Sequence, residues 1–292
     1  MDNYLELLEQ NGYVIIPDVL NNAEINEYIN EFNKWKSGVP NLDELHDIIE
    51  SNGIYKYHEI GQQRFAWLIR TNPKVINIFK KLWNTDELVV SFDGCCYYSS
   101  DYIGEPRYWT HTDQSSQKKG RQCIQGFVSL TNNSERTLIV YKGSHLLHED
   151  YFKTYNIDDP SDWNILDKEY VDQLEDKKEY LDVSAGSLVL WDSRTFHQNT
   201  CGTPSCEEER LIQYVCYLPK NNPINDEDMK NLRLKYFNKL RTTSHWPYPI
   251  NTVPLQPNYY NYYNPENPIY IDYKNLPKPY LDDLLLEIDK LL

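Results

Sequence analysis

Short apolar runs at regular intervals dominate the chain between residues 87 and 220. Each run holds four to eight residues rich in Val, Ile, Tyr, Phe and Leu, and turn residues separate it from the next. Such runs are typical of the strands of a double-sheet jelly roll or barrel. The runs lie at 88–92, 95–98, 108–113, 123–130, 137–141, 180–183, 187–191, 195–199 and 211–218. The pattern therefore predicts a mainly β core over 87–220.

Helical periodicity is the main pattern before residue 87. Residues 2–10 predict a short amphipathic helix, and the β-branched run 13–16 predicts a strand. A helix with one apolar stripe is predicted over 22–35, capped by Asn22, and three helical pieces are predicted over 42–84. We therefore expect a helical layer that supports the β core.

Two less regular segments interrupt and follow the core. The stretch 145–178 is polar and partly helical. Residues 243–280 are rich in Pro, Tyr and Asn and lack periodicity, which predicts an extended arm with a short helix after it. We predict one domain over 1–242, with the helical layer at 1–86, followed by the arm and its helix at 243–292. The arm either packs on the core, covers the site or makes a dimer contact.

Charge and hydropathy weigh against several classes of function. The formal net charge is −15 at pH 7, so most of the surface repels a polyanion, and we predict no nucleic-acid partner. No apolar run approaches the ~20 residues that span a bilayer, which predicts no membrane partner. The acidic, amphipathic N-terminus is unlike a signal peptide, so the predicted compartment is the cytoplasm. An acidic enzyme acting on a small-molecule substrate fits these features, and the sequence carries no signal for an oligomeric state.

Three residues on two distant runs form a candidate metal site. His111 and Asp113 are two positions apart, so they lie on one face of an extended strand and can bind one ion. Two ligands are too few, and the third candidate is His197, which follows a strong apolar run. Two histidines and one carboxylate form the facial triad of non-haem Fe(II) oxygenases. Histidines in polar or helical surroundings are predicted at the surface: His46, His58, His148 and His245.

Arg210 lies thirteen residues after His197, where the last apolar run begins. An arginine that enters a buried strand needs an anionic partner, because burying it unpaired is costly. A carboxylate ligand beside the metal would make a planar, two-point contact with the guanidinium. The alternative is an ion pair with an acidic residue just upstream: Glu207, Glu208 or Glu209.

Four segments between about residue 10 and residue 220 carry a family resemblance. They are Gly12–Leu20, His111–Asp113, Val140–His145, and Ala185–His197 followed by Arg210. In these segments the sequence resembles the phytanoyl-CoA dioxygenase family of Fe(II)- and 2-oxoglutarate-dependent oxygenases. They are similar to its N-terminal strand and turn, its H-x-D triplet, its "PGSH" segment (with Tyr-Lys where Val/Ile-Pro is usual) and its distal histidine strand. The resemblance implies a double-stranded β-helix, the cupin-like jelly roll, which agrees with the strand pattern.

The resemblance also implies cofactors and roles. His111, Asp113 and His197 would bind Fe(II), and Arg210 would hold the distal carboxylate of the cosubstrate 2-oxoglutarate, with O2 as the second cosubstrate. Family members that halogenate lack the carboxylate ligand. Because Asp113 is present, the resemblance implies hydroxylation or a related oxidation, with release of succinate and CO2.

The resemblance also bears on four further residues. Asn199 stands where some members place a serine near the distal carboxylate of 2-oxoglutarate. The residue that meets the other carboxylate varies among members, and Gln125 or Tyr98 is the candidate here. His145, at the end of its segment, is predicted to be a turn and packing residue.

Basic residues cluster near the predicted mouth of the site. They are Arg107, Lys118, Lys119, Arg121 and Arg194. They either recognise a carboxylate or phosphate on the substrate or belong to a solvated hairpin loop. An acyl-CoA substrate would need more cations than these, so the family name is not transferred as an activity.

Three functions are compatible with the sequence. The first is Fe(II)- and 2-oxoglutarate-dependent oxidation of a small molecule, which the intact set of ligands and Arg210 favours. The second is oxidation of a protein side chain or a nucleobase, and a protein target would need an open groove beside a free sheet edge. The third is a jelly-roll binding protein with a vestigial metal site.

Overall fold

The fold is given by a computed structural model that describes residues 3–50 and 52–292. Its α-helices are α1 (Tyr4–Asn11), α2 (Asn22–Ser37), α3 (Leu42–Ile49), α4 (Arg64–Arg70), α5 (Pro73–Trp83), α6 (His148–Thr154), α7 (Lys168–Asp172), α8 (Glu227–Asn238), α9 (Asn258–Tyr263) and α10 (Leu285–Leu291). Its strands are β1 (Tyr13–Ile16), β2 (Ile54–Tyr55), β3 (Leu88–Val90), β4 (Cys95–Tyr98), β5 (His111–Thr112), β6 (Ile124–Ser129), β7 (Leu138–Tyr141), β8 (Asn164–Ile165), β9 (Lys178–Tyr180), β10 (Leu188–Asp192), β11 (His197–Asn199) and β12 (Arg210–Pro219). None of the helices within the described ranges has both the length and the hydropathy that a membrane crossing requires.

The N-terminal helices follow the predicted pattern, with one change at a helix cap. The residue that caps α2 is Asn21 rather than Asn22. The Asn21 side chain accepts hydrogen bonds from the backbone N–H groups of Ala23 and Glu24. The Glu24 carboxylate accepts from the Asn21 N–H in return, which completes a capping box. α1 ends at Gly12 in the left-handed region (φ 78°), a conformation that glycine adopts without strain.

Two compact units are formed by contacts between distant parts of the chain. The first unit contains the residues up to Val19 together with Tyr98–Leu211, and the second contains Leu20–Tyr97 and Ile212–Leu292. In the first unit β1, β10 and β6 pair antiparallel in that order. A second antiparallel sheet, called here the small sheet, has the order β8-β5-β11-β7-β9. The first unit thus contains the small sheet and the three strands β1, β10 and β6 of another sheet.

One face of the small sheet, called here its outer face, is covered by the 145–178 insert. A cluster of buried apolar side chains from α6, α7 and the sheet fills this contact: Ile139, Tyr141, Tyr151, Phe152, Leu166, Val171 and Phe196. Burying an apolar side chain of this size contributes roughly 1.5–3 kcal/mol to stability. The cluster fixes the sheet and leaves its other face for the polar residues described below.

Three histidines predicted at the surface are buried. His46 is 1% exposed, His58 2% and His148 0%. The His46 ring stacks on Tyr55 with the ring centroids 3.6 Å apart. Their sequence surroundings are polar, but tertiary packing removes these rings from water. Burial lowers the pKa of each of the three, so all are neutral at pH 7.

We expect acid to destabilise the protein through His58. Burial lowers the pKa of His58 to about 4, whereas an unfolded histidine titrates near ~6.5. Below ~6.5 the unfolded chain binds a proton that the folded chain does not, so stability present above that value is lost as the pH falls toward 4. Between pH 7.5 and 5 the expected loss from this one group is about 2 kcal/mol.

Denaturant unfolding at the two pH values measures this loss. His58→Asn is the matched variant, because asparagine does not titrate and tolerates the left-handed backbone (φ 58°) at this position. The variant should lose less stability than the wild type on acidification. Equal losses in the two proteins would contradict the assignment to His58.

Candidate metal centre

The two histidines of the site come from neighbouring strands of the small sheet. β5 and β11 pair antiparallel, with His111 directly opposite His197. Residues directly opposite each other point to the same face of a sheet. Asp113 follows His111 by two positions, and its N–H donates to Ser193 O at 2.9 Å, which holds it beside the same face. The two-residue spacing of His111 and Asp113 and the pairing of β5 with β11 therefore bring the three side chains together.

The three side chains form one compact, buried group. Asp113 Oδ2 lies 3.7 Å from His111 Nε2 and 3.2 Å from His197 Nε2. One ligand atom from each residue lies within 4.8 Å of the other two, and no other such group of three His, Cys, Asp or Glu occurs in the described part of the chain. The three residues are 4–7% exposed. The arrangement matches the donor set of an Fe(II) facial triad.

Both imidazoles are oriented by backbone carbonyls. His111 Nδ1 lies 3.0 Å from Trp109 O, and His197 Nδ1 lies 2.8 Å from Thr195 O. A carbonyl only accepts, so each Nδ1 carries the proton and each Nε2 presents a lone pair toward Asp113. Burial, and after it the neighbouring His111 ring, lowers the pKa of His197 and favours the neutral form that metal binding requires.

Gln125, one of the two candidates for the other carboxylate of 2-oxoglutarate, contacts a candidate metal ligand. Its Nε2 donates to Asp113 Oδ2 at 2.9 Å. This is the same oxygen that lies nearest the two histidines, so the amide fixes the orientation of the carboxylate. Tyr98, the other candidate, packs against Tyr102 with ring centroids 4.8 Å apart, and Arg136 lies over its ring.

Arg210 is buried with part of its guanidinium unpartnered. The side chain is 1% exposed, and Nη2 donates to Asn199 Oδ1 at 3.1 Å. Nε and Nη1 are buried and find no acceptor among the described residues. Glu208, one of the alternative partners, accepts from the backbone N–H groups of Ser134 and Arg136. Two donors of Arg210 thus remain for an anionic ligand, a role that fits a carboxylate.

The basic residues near the site are mostly paired with acidic residues of the protein. Lys118 Nζ lies 2.6 Å from Asp162 Oδ2, and Lys119 Nζ lies 3.6 Å from Glu149 Oε2. Arg194 makes a two-point contact with Asp192 at 2.9 and 2.8 Å. Arg121 pairs with Glu9 and Asp192.

The remaining cation, Arg107, is exposed. It lines a cleft of about 470 Å³ together with Tyr180 and Gln198. Gln198 follows His197 directly and so points to the outer face of the small sheet, away from the metal site. A role of the five cations in substrate binding stays a prediction.

The prediction for His145 is confirmed. Its Nε2 lies 3.0 Å from the Glu9 carbonyl, and the ring is 2% exposed. A Cβ added to Gly12 would lie 2.5 Å from His145 Nδ1, so the glycine allows this close approach. The histidine therefore joins a turn to the N-terminal helix and is separate from the metal ligands.

Two contributors to the site were not anticipated from the sequence. The side-chain carbonyl of Gln198 accepts from Thr110 Oγ1 at 2.7 Å and from the Trp109 N–H at 3.2 Å, which fixes the segment that leads to the metal ligands. β8 pairs with β5 and brings Trp163 to 5.7 Å from His111, measured between ring centroids. The run Trp163–Leu166 is an apolar signal for this strand, but it is short and lies inside a polar stretch.

Comparison with known sequences identifies relatives of the chain. The model of the family described as "Phytanoyl-CoA dioxygenase (PhyH)" matches residues 8–200. "Ava biosynthesis cluster protein O" of Aspergillus versicolor is 29% identical over 238 residues, which are 72% of this chain and 75% of that protein. The family match spans the H-x-D triplet, the small sheet and the distal histidine.

Solved structures with the same fold include two 2-oxoglutarate complexes. HygX from Streptomyces hygroscopicus, with nickel and 2-oxoglutarate bound, has a TM-score of 0.52 at 15% identity and covers 76% of this chain and 88% of its own. EctD from S. alaskensis, with 2-oxoglutarate and 5-hydroxyectoine, has a TM-score of 0.53 at 14% identity, covering 76% and 77%. These likenesses confirm the predicted jelly roll with its helical support.

Family and geometry together identify the class of enzyme. The triad of His111, Asp113 and His197 fits Fe(II), which confirms the predicted iron and 2-oxoglutarate dependence at the level of the family. O2 is the second cosubstrate of such oxygenases. The chain belongs to the phytanoyl-CoA dioxygenase family and is a 2-oxoglutarate-dependent oxygenase.

Proposed function

We propose that this enzyme hydroxylates a small molecule in a reaction that converts 2-oxoglutarate and O2 to succinate and CO2. The observation that carries the proposal is the combination of the buried triad with Arg210, whose Nε and Nη1 are buried without an acceptor in the part of the chain that the structure describes. A metal-binding protein without an oxoacid cosubstrate has no use for such a cation, which is costly to bury unpaired.

Each residue of the site has a distinct role in this proposal. His111, Asp113 and His197 hold Fe(II) through Nε2, Oδ2 and Nε2. Arg210 binds the distal carboxylate of 2-oxoglutarate, and Asn199 orients Arg210 through the 3.1 Å hydrogen bond. Gln125 is a positioning residue that holds the Asp113 carboxylate in place.

The protein residues prepare the site for an oxidation in a nearly dry environment. Iron with 2-oxoglutarate supplies the oxidising chemistry when bound. The carbonyls of Trp109 and Thr195 keep both imidazoles in the ligating tautomer. The low exposure of the ligands limits water at the reacting atoms. Asp113 occupies the third protein position of the triad, which favours oxygen transfer to the substrate.

A small molecule fits the surroundings of the site better than a polypeptide. β5, which carries His111, is paired on both sides, with β8 and with β11. β5 therefore offers no free edge to a peptide, and the edge strand beside it, β8, has only two residues to which a strand could add. Two proteins with the same fold have been solved with small molecules, 5-hydroxyectoine in EctD and hygromycin B in HygX.

Succinate release measured with Fe(II), 2-oxoglutarate and a library of small molecules tests the proposal. We expect slow release without substrate and a rise of at least tenfold with a true substrate, whose product gains one oxygen atom by mass spectrometry. Calorimetry with Mn(II) in place of Fe(II) measures 2-oxoglutarate binding without turnover. Protein that binds neither metal nor 2-oxoglutarate would contradict the proposal.

A further inference from the structure

Two partly exposed apolar side chains, Trp163 and Ile165, lie beside the iron ligand His111. β8 pairs with β5 in a register that places Ile165 directly opposite His111, so the two side chains share a face of the small sheet. Trp163 precedes Ile165 by two positions in extended chain and shares that face. Trp163 is 50% exposed and Ile165 is 52% exposed. The iron-facing side of β8 is therefore apolar and open.

The exposure of this side contrasts with the other side of the same strand. Leu166 points to the outer face and is 2% exposed within the buried cluster there. Trp163, by comparison, leaves half of a large ring uncovered, although a tryptophan typically buries about 150–250 Å² when packed. Within the described residues its indole N–H has no acceptor. Packing within the protein does not account for this side chain.

Contacts with the loop after the H-x-D triplet hold the segment that presents Trp163. Lys118 Nζ lies 2.6 Å from Asp162 Oδ2, and the Ser115 N–H donates to Asp162 Oδ1 at 3.0 Å. Ser115 Oγ also donates to Asp159 O at 2.7 Å. These contacts give Lys118 a structural task and hold the segment that carries the exposed ring. A fixed aromatic surface binds a ligand at a lower entropic cost than a mobile one.

We propose that Trp163 and Ile165 form the apolar wall of the substrate pocket and that the substrate carries a flat apolar ring, which stacks on Trp163 next to the iron. The proposal rests on the proposed function, because it deepens the description of the same site. Stacking between rings adds to the gain from area burial and so discriminates flat from open-chain molecules. The free indole N–H selects an acceptor on the substrate. Trp163 is thus a specificity-determining residue.

Binding of two probes of different shape tests the proposal. 2-Naphthol is the flat probe and 1-octanol is the open-chain probe. Each probe is titrated into the wild type with Ni(II) and 2-oxoglutarate present, and again with both absent, and binding is followed by NMR. We expect tighter binding of 2-naphthol than of 1-octanol, and a loss of about fivefold or more in 2-naphthol affinity in Trp163→Ala. Trp163→Phe should retain most of the affinity.

Tyr180→Ala is the matched control. Tyr180 is also an exposed aromatic residue of the small sheet (57%), but it lies opposite Ile139 and so points to the outer face. This control should bind 2-naphthol as the wild type does, and Trp163→Ala should keep wild-type affinity for Ni(II) and 2-oxoglutarate. Equal 2-naphthol binding by wild type and Trp163→Ala would overturn the proposal. An equal loss of 2-naphthol affinity in Trp163→Ala and Tyr180→Ala would also overturn it, as would a loss of metal binding in Trp163→Ala. Failure of the wild type to bind Ni(II) or 2-oxoglutarate would instead contradict the proposed function. In that case the titrations of 2-naphthol into protein without Ni(II) and 2-oxoglutarate would still test the apolar wall formed by Trp163 and Ile165.

Discussion

Asp113→Asn is expected to abolish turnover and iron binding while leaving the fold intact. Asparagine keeps the shape of the side chain and can still accept the hydrogen bond from Gln125 Nε2. It removes the negative charge that lies 3.2 and 3.7 Å from the two Nε2 atoms. Loss of a hydrogen-bond partner of a metal ligand typically costs 10–100-fold in metal affinity, so loss of a charged ligand should cost more than roughly 100-fold.

Iron binding and stability are measured together to separate a lost ligand from a misfolded chain. At an Fe(II) concentration of about 100 times its Kd, the wild type should gain about 2.7 kcal/mol of unfolding free energy, and Asp113→Asn should gain almost none. Without metal the two proteins should unfold within ~1 kcal/mol of each other. Asp182→Asn, which removes an exposed carboxylate from the same unit, should behave as the wild type. Wild-type iron affinity in Asp113→Asn would rule out the ligand assignment.

The metal centre was predictable because it depends on regular geometry. The two-residue period of a strand puts His111 and Asp113 on one face, and this holds even though β5 spans only His111–Thr112. His197 required the further assumption that a strand distant in sequence lies close in space, and the family resemblance agrees with that assumption. In the structure His111 lies directly opposite His197, so the two strands do lie side by side.

The parts of the site that could not be predicted depend on long-range partners. Sequence gives the charge of Lys118 but not its pairing with Asp162, because the two lie 44 positions apart and meet only after folding. It identifies Gln125 as a polar residue in an apolar run but not which carboxylate it reaches. β8 is two residues long, too short for its periodicity to be recognised within a polar insert. For this reason the Trp163 side chain was absent from the predicted site.

Arg210→Met is expected to have opposite effects on cosubstrate binding and on stability. Methionine cannot bind the distal carboxylate, and truncating one partner of a buried charge pair costs roughly 2–5 kcal/mol. The Kd for 2-oxoglutarate should therefore rise by roughly 30-fold to several thousand-fold. Affinity for Mn(II) alone should not change, because Arg210 contacts Asn199 and the ring of Phe127, and neither of these is a ligand.

The same substitution should stabilise the protein when 2-oxoglutarate is absent. Arg210 is 1% exposed, and its Nε and Nη1 atoms are buried with no acceptor within residues 3–50 and 52–292. Burying a polar group in this way is unfavourable, and an apolar side chain of similar length removes that cost. We expect the free energy of unfolding without ligand to rise by about 1–2 kcal/mol. Added 2-oxoglutarate should stabilise the wild type and leave Arg210→Met unchanged.

Arg136→Met provides the contrast, because Arg136 is an equally buried arginine in the same unit with a different environment. Its guanidinium donates to five backbone carbonyls, those of Ser99, Tyr102, Cys201, Cys206 and Glu208. Removing it leaves those acceptors unsatisfied and should destabilise the protein by about 3 kcal/mol or more. Calorimetry with Mn(II) and thermal unfolding with and without 2-oxoglutarate measure both variants. A fall in stability of ligand-free Arg210→Met comparable to that of Arg136→Met would show that Arg210 stabilises the fold and would contradict its assignment to a ligand.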